Sequence, residues 1–157
     1  MEATIQIRPD DLSGDATRRL IAFHLQGMLD TSPPESVHAL DAEALQDPTV
    51  SFWSAWIGDD LAGIGALKQI DAERGELKSM RVDDRFRGYG VVRALLRHIV
   101  AAALDRGMSS LWLETGSTED FLPAQRLYES EGFTICGPFE GYALDPFSIF
   151  MTRALSS

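Results

Sequence analysis

Between Gly75 and Thr115 the chain reads as a strand, a glycine-containing loop, a long helix and a second strand, and this unit constrains the fold more than any other stretch. Along the first strand, Gly75–Val82, the two-residue period places Glu76, Lys78, Met80 and Val82 on one face. Val91, Val92, Leu95, Leu96, Ile99, Val100 and Ala103 then recur at helical spacing until Gly107 stops the helix. Ser110–Thr115 returns as a strand. A β-α-β unit of this kind crosses over right-handed.

The flanking segments extend a sheet around it. Thr4–Arg8 alternates as a short strand before Pro9, and Leu20, Ile21, Phe23, Leu25 and Met28 mark a helix over about Asp15–Leu29. A shorter helix is expected from Glu35 to Leu45. Val50–Ile57, the turn Gly58-Asp59-Asp60 and Leu61–Ile70 read as a hairpin. After the central unit come a helix over about Phe121–Glu131, a strand Phe133–Cys136 and an apolar strand Phe147–Met151. The pattern is of the α/β (α+β) class. It predicts one domain over residues 1–157, with a single mixed, largely antiparallel sheet of six to seven strands and helices on both faces. A length of 157 residues is enough for one substantial core.

Charge narrows the partners. A formal net charge of −10 disfavours nucleic acid and anionic membranes, whose binding needs a basic surface, and it attracts a cationic amine. No apolar run approaches the ~20 residues of a membrane span, and Met1-Glu2-Ala3-Thr4 lacks the basic start of a signal peptide, so the expected location is cytoplasmic. The single cysteine, Cys136, and three histidines without ligand spacing, His24, His38 and His98, predict no metal site. Cys136 sits in a strand with no histidine near in sequence, which suits a small buried hydrophobe better than a nucleophile.

The loop Arg85-Phe86-Arg87-Gly88-Tyr89-Gly90 joins the first strand to the long helix. Its glycines let backbone approach a ligand, and the helix start offers unpaired amides and the positive dipole end to a phosphate from about Arg87 to Val91. Arg85 and Arg87 add charge. The glycine spacing does not match a dinucleotide fingerprint, and no Gly-Lys-Ser/Thr follows as in a nucleoside-triphosphate loop. A flavin- or nucleotide-binding oxidoreductase using the loop for another phosphate stays as a competing reading.

Arg85, Gly88 and Gly90 resemble the Q/R-x-x-G-x-G/A signature of the GNAT superfamily of N-acetyltransferases. Ala124-Gln125-Arg126-Leu127-Tyr128-Glu129-Ser130-Glu131-Gly132-Phe133 looks like the A-x-x-L-Y-x-x-x-G-F helix of the same superfamily. The resemblance covers roughly Gly75–Phe133 and implies acetyl transfer from acetyl-CoA to the primary amine of a small-molecule acceptor by direct attack in a ternary complex. A non-catalytic acyl-CoA-sensing module of the same fold is the alternative. The resemblance also implies a central parallel pair splayed to admit the cofactor, and homodimers are common among such proteins.

Carried onto this sequence, the resemblance assigns coenzyme binding to Met80, Arg81 and Val82 along the strand, to Arg85, Arg87, Gly88, Tyr89, Gly90 and Val91 at the loop, and to Ala124. It makes Tyr128 the acid that protonates the departing thiolate, with a core-packed tyrosine as the alternative. Glu76 matches the general base of some members, against a solvated strand carboxylate. Only Asp83 and Asp84 separate Val82 from Arg85, where four residues are commoner, so the strand register against the loop is open by two. A slip of two would keep each side chain on its face. Phe121 stands where many members carry an asparagine that bonds the pantetheine arm. The aromatic and acidic segment Phe139–Pro146 has two readings, a closure over the acceptor and a plain surface loop.

Overall fold

In the computed structural model the described residues are 4–33 and 43–155. Seven strands, β1 (Gln6–Pro9), β2 (Val50–Ile57), β3 (Asp60–Gln69), β4 (Arg74–Val82), β5 (Ser110–Gly116), β6 (Thr134–Cys136) and β7 (Ser148–Ala154), form one open sheet. Their order is β1-β2-β3-β4-β5-β7-β6. Every pairing is antiparallel except β4 with β5, the two strands joined through a helix. The helices are α1 (Asp15–Thr31), α2 (Val91–Asp105) and α3 (Leu122–Ser130). Most of the helix expected over Glu35–Leu45, with His38, lies outside the described residues; at its end Ala44–Gln46 make one 3-10 turn.

Two apolar clusters show why the helices divide between the faces. On one side the α2 stripe Val91, Leu95, Leu96, Ile99 and Ala103 packs with Leu67, Leu77, Leu111, Leu113, Tyr128 and Phe133. On the other, Leu20 and Ile21 of α1 meet Phe52, Ile64 and Ala66. Glycine spacing in β3 lets α2 approach closely: a Cβ on Gly63 would lie 2.6 Å from Val91 Cγ1. Arg97 Nε at the α2 surface donates to Glu131 Oε1 at 2.6 Å just after α3, tying the two helices together.

The alternation expected along β4 does not persist. Ile64 pairs with Arg81 but Ala66 pairs with Lys78, so Gly65 faces two residues, Ser79 and Met80. Ser79 takes φ 55, a left-handed conformation rare for a residue with a side chain. This is a β-bulge, and the extra residue reverses the facing of everything after it. Glu76 and Lys78 stay on the α1 face, while Met80 and Val82 pack with the α2 cluster. The expectation that Glu76, Lys78, Met80 and Val82 share a face is therefore corrected, and with it the argument that a slip of two is harmless. Gly65 accommodates the bulge, because a Cβ there would stand 2.7 Å from Met80 Sδ.

Candidate active site

The parallel pair holds for three residues only, Arg74↔Ser110, Gly75↔Leu111 and Glu76↔Trp112. Beyond Glu76 the strands separate, as the splayed pair implied, and a cleft of about 350 Å³ opens between Glu76–Arg81 and Leu113–Thr115. Backbone groups of β4 that a continuous ladder would have used face this gap, a strand edge ready to pair with an extended ligand. His24, Gly27 and Met28 of α1 and Phe121, Ala124 and Tyr128 at α3 complete its walls.

At the mouth, Asp83 Oδ1 accepts the amide of Arg85 at 2.9 Å and starts a 3-10 turn over Asp84–Phe86. Gly88 and Gly90 follow at φ +84 and +81, with open space where a Cβ would sit. Gly90 caps α2 with no side-chain bond to the first-turn amides, the arrangement that suits an anion at a helix start. Arg87 lines the cleft and pairs with Asp84 at 2.8 Å. Arg85 instead turns to Asp83 at 3.2 Å and Asp60 at 4.0 Å, outside the cleft. Tyr89 is exposed and edge-on to Phe86, and Val91 contributes a buried side chain to the core.

Tyr128 reaches the cleft from the α2 face. Its ring is buried edge-on against Phe133, burial pushes the phenol well above its ordinary range, and its hydroxyl makes no hydrogen bond among the described residues. Gln125 fixes the helix that carries it: Nε2 donates to the Gly116 carbonyl at 2.7 Å, inside the fold. Phe121 lies flat on the same glycine, where a Cβ would come within 2.1 Å of its ring. An aromatic wall thus stands where the resemblance implies an asparagine side chain.

Glu76 approaches from the opposite face and is buried. Its Oε2 accepts the Tyr142 hydroxyl at 2.5 Å and sits 3.0 Å from Lys78 Nζ, which also donates to the Tyr142 hydroxyl at 2.7 Å. Burial, then the charges of Glu76 and Glu114, push the Tyr142 phenol upward, so it stays a donor. The segment Phe139–Pro146 is not a plain surface loop: Phe139 is buried against Trp112 and Phe150, and Tyr142 reaches β4. Tyr142 and Gln125 are the residues that sequence reading missed. Tyr142 lay in a segment already marked by its aromatics, while nothing local distinguishes Gln125.

The family model described as Acetyltransferase (GNAT) family matches residues 17–133. The chain belongs to this family. It is 50% identical over 149 residues to the uncharacterised N-acetyltransferase YedL of Escherichia coli (strain K12), covering 95% of this chain and 94% of that one. A Klebsiella pneumoniae structure assigned as an acyl-CoA N-acyltransferase superposes with TM-score 0.80 at 26% identity, over 99% of this chain and 100% of the other. A GNAT family acetyltransferase from Elizabethkingia anophelis with acetyl-CoA bound gives TM-score 0.67 at 20% identity, covering 96% and 98%. This GNAT protein is therefore an acetyl-CoA-dependent acetyltransferase. No helix among its described residues is long and apolar enough to cross a membrane.

The residues present suit the coenzyme. An unpaired strand edge lines the cleft, and just past Arg87, which also lines it, follow glycines with open space above them and a helix start without a side-chain cap.

Proposed function

We propose that this acetyltransferase moves the acetyl group of acetyl-CoA onto a primary amine of a small molecule, by direct attack within a ternary complex. The observation that carries this reading is the through-sheet cleft, which brings Tyr128 from the α2 face and Glu76 from the α1 face to the same gap. Two partners entering from opposite faces meet there without an enzyme nucleophile. Cys136, the sole cysteine, stands on the edge strand β6 and is not among the cleft residues.

Acetyl-CoA supplies an acyl group activated as a thioester. Amides from Gly88 to Val91 hold its pyrophosphate, and the backbone of Met80, Arg81 and Val82 pairs with the pantetheine arm. Ala124 leaves room beside it. Tyr128, protonated at any working pH because it is buried, delivers a proton to the sulfur as the carbon–sulfur bond breaks. Glu76 takes the proton lost by the amine, through a water. Among the described residues its carboxylate is engaged through Oε2, which leaves Oε1 for that task. Lys78 and Tyr142 hold the carboxylate in place.

The experiment is thiol release from acetyl-CoA across a panel of small primary amines, with the N-acetylated product identified by mass. Amine-dependent release supports the reading. Release into water alone, or acetylation of oxygen nucleophiles only, overturns it.

A further inference from the structure

Five buried side-chain polar atoms have no hydrogen-bond partner among the described residues, and three of them, His24 Nδ1, Ser79 Oγ and Arg81 Nε, belong to residues lining the cleft. Buried polar groups are normally paired, so such a convergence points to a polar ligand. Arg81 is the most demanding of the three, because its buried Nε belongs to a half-buried cation and a charged group left unpaired away from water is costly.

The chain does not lack acids, with 24 against 14 basic residues. Arg74 pairs with Asp71 and Glu140, Arg85 with Asp83, Arg87 with Asp84, and Arg93 and Arg97 with Glu131. Arg81 forms no ion pair among the described residues. Its guanidinium lies on the α1 face, 4.8 Å from the Phe23 ring centroid and flush with Gly27, where a Cβ would be 3.5 Å from both Nη atoms. Desolvation pulls its pKa down; Asp84 opposes this and Arg87 adds to it. His24 stands beside it, kept neutral near pH 7 by burial and by the Arg81 charge, with a pKa lowered to about 4. A neutral imidazole offers one donor.

We propose that the acceptor amine also carries a carboxylate, and that Arg81 with His24 binds that carboxylate on the α1 face of the cleft. This rests on the amine-acetylating reading above and adds the substrate class. The bulge decides the direction: it turns the Arg81 side chain toward α1 and Glu76's face, while Met80 and Val82 turn toward α2. A guanidinium fork suits a planar carboxylate, which it grips through two parallel bonds. One positive charge with no ion pair among the described residues, beside a neutral imidazole, matches a single negative charge better than a doubly charged phosphate. The amine of such a zwitterion then points to the buried Glu76. The backbone of Arg81 remains available to the pantetheine arm.

The test compares amino acids with the matching amines that lack the carboxylate, with their amides and with aminoalkyl phosphates, in wild type, Arg81→Met and Arg81→Lys. Charge-assisted hydrogen bonds of ~1.5–3 kcal/mol correspond to roughly 10- to 100-fold. Wild type is expected to prefer the carboxylate by about that factor in kcat/KM. Arg81→Met loses the preference, Arg81→Lys keeps part of it, and the KM for acetyl-CoA stays within about twofold. Equal use of amines and amino acids, a preference for the phosphates, or a rise confined to the KM for acetyl-CoA in Arg81→Met overturns the proposal; the last makes the coenzyme the anion bound. Calorimetric titration of the same compounds onto the coenzyme A-bound protein separates this from the parent reading. Carboxylate-dependent binding that Arg81→Met abolishes supports the site even where no amine is acetylated. Binding indifferent to the carboxylate counts against it even where amines are acetylated.

Discussion

At the scale of single residues, the proposed mechanism divides the proton traffic between two side chains. Replacing Tyr128 by Phe removes the donor and little packing, since the ring still meets Phe133 edge-on. A proton donor of this kind contributes ~10²–10⁴-fold to rate, so kcat of Tyr128→Phe is expected to fall by that range. Calorimetry should find acetyl-CoA affinity unchanged; a loss seen only in KM would reassign Tyr128 to binding. Glu76 is tested through pH. An aliphatic amine has a pKa near ~10.4 and must lose a proton before it attacks. Glu76→Gln is therefore expected to depress kcat most near neutrality and to recover part of the rate at high pH, where the amine deprotonates unaided. A pH-rate profile parallel to wild type, with only the amine KM raised, would place the base elsewhere.

At the scale of elements, glycines serve the loop and α3 for opposite reasons. Gly88 has φ +84 and nothing within 4 Å of a Cβ, so a side chain there meets strain in the backbone but no clash. Gly88→Asp is expected to keep the fold, at ~1–2 kcal/mol for the left-handed conformation, while coenzyme A affinity drops at least about tenfold as a carboxylate enters the proposed phosphate site. Titration calorimetry beside a melting curve tells these apart. Gly116 is the reverse case, with the Phe121 ring 2.1 Å from where a Cβ would stand. Forcing a methyl into that contact costs ~1–3 kcal/mol, and at this chain length each kcal/mol lowers Tm by ~2–4 °C. Gly116→Ala should also lower kcat, because Phe121 and the Gln125 bond to the Gly116 carbonyl place the helix that carries Tyr128. A melting temperature equal to wild type would show that Phe121 moves aside freely.

At the scale of the whole molecule, α1 is joined to β4 through the Phe23, His24 and Arg81 contacts, and this junction makes stability depend on pH. The His24 pKa in the fold, about 4, lies below its ordinary 6.5, first because of burial and then because of Arg81. As the pH falls below 6.5 the unfolded chain takes up a proton that the folded one refuses. The stabilisation is complete above about 6.5 and is lost on the way down to about 4. His24→Gln is expected to flatten this part of the curve of unfolding free energy against pH, read by urea titration at each pH. A wild-type curve with the same slope as the variant between those limits would show that His24 is open to water.

Much of this arrangement is written locally in the chain. The α2 stripe from Val91 to Ala103, the hairpin around Gly58-Asp59, the glycine loop and the Tyr128 helix were all legible, because periodicity and turn chemistry act over a few residues. The loop and the Tyr128 helix also carried the resemblance to the family. What sequence could not reach depends on pairing between distant segments. The bulge at Ser79 is a property of β4 against β3, made possible by the missing side chain at Gly65 and invisible in the alternation of β4 itself. It sends Met80 and Val82 to one face and Arg81 to the other. Tyr142 meets Glu76 across 66 positions of sequence, and the loop register leaves Arg87 in the cleft while Arg85 turns to Asp60. Local interactions set which elements form; the sheet's register, which only tertiary packing decides, set which side chains share the cleft.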